Sequence, residues 1–135
     1  MAIVATSGPA SRGREHEDID VVDAKGIDSA VIFGKLVALA RGTEWNVKTS
    51  GTSLVWSEDE EGPWLEALAD STRDTLASIQ DEQLDELAAR WSQIEDFTRF
   101  SPVSADELRP GVVNFVRLAR RALDAGDHLH CWICL

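Results

Sequence analysis

His128-Leu129-His130-Cys131-Trp132-Ile133-Cys134-Leu135 contains both cysteines of this chain and two of its three histidines. On an extended backbone, alternation sends His128, His130, Trp132 and Cys134 one way and Leu129, Cys131, Ile133 and Leu135 the other. The second set is apolar throughout, and free cysteine is among the most buried residue types. The segment therefore reads as a strand over residues 128–134 with one face in a core. The same letters also offer a soft-ligand cluster, because His128, His130, Cys131 and Cys134 are residue types that hold zinc or copper. Geometry weighs against that use. Strand alternation puts Cys131 and Cys134 on opposite faces, whereas zinc needs ligands that converge tetrahedrally. Such sites usually combine two separated pairs, and His16 is the sole remote candidate here. Cys-x-x-Cys is also the spacing of redox dithiols, whose active cysteine usually sits at a helix N-terminus. Only one residue follows Cys134, so no such helix is expected.

A final strand needs partners, and the expected one is a hairpin over residues 45–56. Trp45-Asn46-Val47-Lys48 alternates apolar and polar, Thr49-Ser50-Gly51-Thr52 supplies turn chemistry, and Leu54-Val55-Trp56 is bulky and strand-like. Ile19-Asp20-Val21-Val22 suggests a short edge strand. Residues 1–17 are expected to be a flexible segment, since Gly8-Pro9-Ala10-Ser11-Arg12-Gly13-Arg14 is rich in breakers. Residues 18–135 are expected to form a single globular domain.

Helical spacing accounts for the rest. Val31, Ile32, Leu36 and Leu39 recur on one face of a helix over residues 29–41, with Asp28 or Ser29 as cap and Gly42 beyond its end. Pro63 suits a first helical turn, with Trp64, Leu65, Leu68 and Leu76 on the apolar side of that helix or of two short ones. Leu84, Leu87, Ala88, Trp91 and Ile94 form an i, i+3, i+4, i+7 stripe, capped by Ser78. Ser104-Ala105-Asp106-Glu107 is a capping box. Pro110-Gly111 is expected to interrupt the helix that follows, and Gly126 to end it. The fold class expected from these elements is α+β, with about four helices packed on a small antiparallel sheet.

The charge is placed unevenly. Residues 58–97 hold thirteen acids and only two bases, so this block carries the entire formal net charge of −11. Such a surface repels nucleic-acid phosphate and anionic lipid, and it attracts basic partners. The plain alternative is a solvated acidic exterior, since net charge bears on solubility before function. No stretch approaches the roughly 18 to 20 apolar residues of a membrane helix, and no signal-peptide pattern opens the chain. The expected setting is the cytoplasm. Catalytic motifs are absent: no Gly-x-Ser-x-Gly, no phosphate-cradling glycine loop and no His-Glu-x-x-His. The run at residues 58–61 lacks the ligand spacing and glycine of a calcium loop. Arg117, Arg120 and Arg121 are expected to pair with the acidic helices.

Residues 84–95, Leu84-x-x-Leu87-Ala88-x-x-Trp91-x-x-Ile94-Glu95, and the ending Leu118-Ala119-Arg120-Arg121-Ala122-x-x-x-Gly126-x-x-Leu129-x-Cys131-Trp132 resemble small acidic actinobacterial proteins. More loosely they resemble immunity proteins of bacterial toxin systems. The resemblance covers about a third of the chain, consists mostly of packing positions, and carries no catalytic residues. It implies a bacterial, intracellular, non-enzymatic protein that neutralises a basic protein partner, as an immunity protein or inhibitor does. The expected contacts are Glu58, Asp59, Glu60, Glu61, Asp81, Asp85 and Glu86. Two other readings stand beside it: a small metal-binding or thiol-redox protein using the terminal cluster, and a small tailoring enzyme with a tryptophan-lined pocket.

Overall fold

The computed structural model describes residues 1–6 and 21–133 of the chain. Five strands form one sheet: β1 (Ala2–Thr6), β2 (Val21–Asp23), β3 (Ser53–Ser57), β4 (Trp64–Ala67) and β5 (His128–Ile133). Their order is β2-β1-β5-β4-β3, and every pairing is antiparallel. Four helices of eight residues or more accompany it: α1 (Ile32–Arg41), α2 (Asp70–Ala77), α3 (Leu84–Ser92) and α4 (Ala105–Ala125). The α+β class holds, with the terminal strand at the centre of the sheet.

Alternation in β5 falls as the residues dictate. Leu129 and Cys131 are buried while His128 and Trp132 are exposed. Cys131 pairs with Ile3 of β1 on one side and Glu66 of β4 on the other. Ile3, Ala5, Val22, Leu129 and Cys131 make the inner face of the sheet, and the helices supply the other half of the core. Phe33, Trp91 and Phe115 sit at its centre, with ring centroids 5.3 Å apart for Phe33 and Phe115 and 6.3 Å apart for Trp91 and Phe115. The Trp91 indole N–H donates to the Ile32 carbonyl at 2.9 Å, so this buried polar tip ties α3 to α1. The expected stripe of α3 is buried at Leu84, Leu87, Ala88 and Trp91.

Several elements differ from the sequence reading. Residues 2–6 are not a flexible leader but the strand β1, flanked by β2 and β5. Their short apolar run is stabilised by a partner more than a hundred residues away, which local pattern does not reveal. Residues 7–17 lie outside the described residues. The hairpin is β3 with β4: Leu54-Val55-Trp56 is a strand as expected, but its partner is Trp64–Ala67 and not residues 45–48. Residues 45 and 46 lead into turns over residues 47–50 instead. Thr49 Oγ1 accepts from the Asn46 amide and Asn46 Oδ1 accepts from the Lys48 amide, both at 2.8 Å. Such local side-chain bonds compete with a strand ladder. Trp45 meanwhile donates to the Ala30 carbonyl at 2.9 Å and packs beside α1.

Trp64–Ala67 is a strand, not a helical turn after Pro63, because its backbone fills the place between β5 and β3. Short apolar runs carry too little periodicity to separate the two states. Asp28 caps α1, accepting from the amides of Val31 and Ile32 at 2.8 Å. Gln80 and Gln83, rather than Ser78, form the capping box ahead of α3. Ser104 caps α4 as expected, but the helix runs unbroken through Pro110. The missing proline N–H strands the Asp106 carbonyl, and both residues are exposed, so water can satisfy it. Gly126 ends α4 at φ 71°.

Candidate binding surface

The β3–β4 connection is a tight acidic turn. The Asp59 carboxylate accepts from the Glu61 amide at 2.8 Å, the Asp59 carbonyl accepts from the Gly62 amide at 3.2 Å, and Gly62 takes φ 87°. The carboxylate of Asp59 thus shapes the turn locally, the usual role of aspartate at such places. Glu58, Asp59, Glu60 and Glu61 are all exposed. Among the described residues, none of the four has a lysine or arginine within ion-pair distance.

The helical acids are situated differently. Asp81 pairs with Arg120 at 3.1 Å, Asp85 with Arg109 at 2.5 Å and Glu86 with Arg90 at 3.2 Å. Asp96 is bonded to Lys35. Arg109 and Arg120 come from α4, outside the acidic block, so folding returns positive charge to α3 that the linear count places elsewhere. The expected contact set therefore splits. Residues 58–61 form one uncompensated cluster, while Asp81, Asp85 and Glu86 form a second, paired group. Arg73 adds a further tie, donating to the Asp127 carbonyl at 2.8 Å and facing Asp74 at 2.9 Å.

The terminal cluster also divides. His128 and His130 lie on the outer face of β5 and Cys131 on the inner, buried one. Burial pushes the Cys131 thiol up to about 12, with the Glu66 carboxylate adding to the shift. Burial thus makes Cys131 a weak free nucleophile. Cys134 lies outside the described residues. Among those described, no group of three or more histidine, cysteine or acidic residues is placed to hold a metal. His128 Nδ1 instead meets Asp70 Oδ1 at 2.7 Å, a contact that is the main cause holding the Asp70 carboxyl below its ordinary range. His130 is shifted down from 6.5 by burial first and by the charge of His128 second.

The feature that sequence reasoning missed is the outer face of the sheet. Register places Trp132 beside Ala2 and Leu65, and Leu65 beside Trp56. The indoles of Trp56 and Trp132 reach over Leu65 and stack, centroids 5.8 Å apart and planes 9° from parallel. Trp56 remains 47% exposed and Trp132 36%, which marks a surface rather than a core pair. The alignment of His128, His130 and Trp132 on one strand face was the available signal. Its neighbour Leu65 lies on β4, a run too short for its apolar pattern to separate strand from helix. The five tryptophans do not share one pocket. Trp91 is wholly buried, Trp45 packs against α1, Trp64 lies on the sheet face opposite Trp56 and Trp132, and only these last two meet. Among the described residues, no helix is long and apolar enough to cross a membrane. No family model matches the chain, and no curated protein and no solved structure matches it.

Proposed function

We propose that this protein is a non-enzymatic binding protein whose acidic β3–β4 turn engages a basic protein partner, in the manner of an immunity protein or inhibitor. The supporting observation is the cluster of four exposed carboxylates at residues 58–61 that no basic side chain of the described chain compensates. Like charges held together in a turn repel one another, and a cationic partner relieves that repulsion. The same field raises the local concentration of a basic partner and speeds encounter. Asp81, Asp85 and Glu86 take a lesser part, because each already has an arginine. Rim charges of this kind act on association rate and salt dependence more than on buried contact energy.

The test is replacement of the turn charges by Glu58→Gln, Asp59→Asn, Glu60→Gln and Glu61→Gln together. Asparagine keeps the Oδ1 acceptor that the Glu61 amide uses, so the turn is preserved. Titration calorimetry with a basic peptide such as nona-lysine should show affinity falling about tenfold or more. The same substitution at Asp81, Asp85 and Glu86 should change it about threefold at most. Equal effects of the two sets would remove the turn from its assigned role.

A further inference from the structure

We propose that the Trp56–Trp132 pair is an arginine platform: the outer sheet face beside the acidic turn receives a guanidinium of the partner. This rests on the reading of residues 58–61 as the basic-partner site, and it specifies the side chain recognised. Two stacked indoles left partly exposed among the described residues are costly to leave in water.

Charge selects the occupant. Ser57 alone separates Trp56 from Glu58, so the uncompensated carboxylates begin at the edge of the indole pair. On the opposite flank, β2 and its turn offer Asp23 with Lys25, and the Met1 ammonium donates to the Ala24 and Ile27 carbonyls beside them, so positive charge balances or exceeds negative there. The Trp56 end is thus the negative end of the face. An aromatic face beside carboxylates fits a cation that is planar and weakly hydrated. Guanidinium stacks on indole while its N–H groups reach carboxylate oxygens, whereas ammonium holds its water more tightly.

The backbone edge of the sheet is a poorer place for the same partner. The β3 register shifts between Leu54 and Trp56, a bulge that interrupts the row of groups a new strand would pair with. At the other edge, β2 is only three residues long. The partner is therefore read by side chains on the face, not by strand addition.

The test compares nona-arginine with nona-lysine by titration calorimetry at low salt. The wild-type protein should bind the arginine peptide about 2- to 5-fold more tightly. Trp56→Leu keeps apolar bulk and removes the π face, so the ratio should fall to near one with the lysine affinity unchanged. Trp56→Phe should retain part of the preference. A wild-type ratio of one, or an unchanged ratio in Trp56→Leu, overturns the platform. Loss of both affinities on neutralising residues 58–61, with no effect of Trp56, would leave the acidic-turn reading standing without it. If neither peptide binds, both fall.

Discussion

Cys131 carries the strongest chemical change between the sequence and the folded chain. As letters, Cys-x-x-Cys beside two histidines suggests reactivity. In the fold its thiol lies on the helix-covered face, beside Ile3 and Leu129, with burial holding the proton on sulfur. In a Cys134→Ser background, where Cys131 is the sole thiol, labelling under native conditions should be slow and should accelerate with denaturant. Fast native labelling would contradict the buried assignment. Cys131→Ser should cost about 1–3 kcal/mol of stability by placing a hydroxyl among apolar neighbours, read from denaturant unfolding. His130 gives a second expectation. Its folded pKa is depressed, so the unfolded chain binds protons the native state refuses. Stability should therefore be full above about 6.5 and fall as pH drops through and below that value. His130→Gln should flatten that fall, measured by urea titrations across the range.

At the scale of elements, legibility followed length and periodicity. The α3 stripe, the α4 cap at Ser104 and the stop at Gly126 were all readable, because helical spacing and capping are local. The face assignment of β5 was readable too, since period-two alternation needs no knowledge of the neighbours. Its neighbours were not. β1 and β4 are five and four residues long, too short to declare a period, and their register is set by chain segments far away. The turn over residues 47–50 shows a different failure. Trp45 and Val47 alternate like a strand, yet Asn46 and Thr49 close the turn with their own side chains. The missing piece was the seat for Trp45 beside α1. There Gly34 leaves room, and a Cβ at that position would stand 2.8 Å from the Trp45 indole nitrogen. Gly34→Ala gains about 1 kcal/mol of helix propensity but must displace a ring bonded to Ala30. We expect overpacking to win, with a net loss of about 1 kcal/mol in thermal or denaturant unfolding. A stabilised variant would show that Trp45 is not fixed there.

Across the whole molecule, the sequence charge count was right in sum and incomplete in placement. Residues 58–97 hold the acid excess, but Arg120 and Arg109 of α4 fold back onto Asp81, just ahead of α3, and Asp85 within it, and share their charge. Among the described residues, the hairpin tip is the one run of adjacent acids in that block left without an ion-pairing base, Glu82 being a single such acid, and the tip borders an aromatic pair on the sheet surface. That juxtaposition was not legible, because it depends on β3 pairing with a segment read as helix. The most direct test is the association rate of nona-arginine followed by stopped-flow fluorescence from about 10 mM to about 1 M salt, where the screening length falls from roughly 30 to 3 Å. The rate should drop at least about tenfold in the wild-type protein, with a clearly shallower slope when residues 58–61 are neutralised. A rate that ignores ionic strength, or an identical slope in both proteins, would contradict an acidic turn that captures a basic partner.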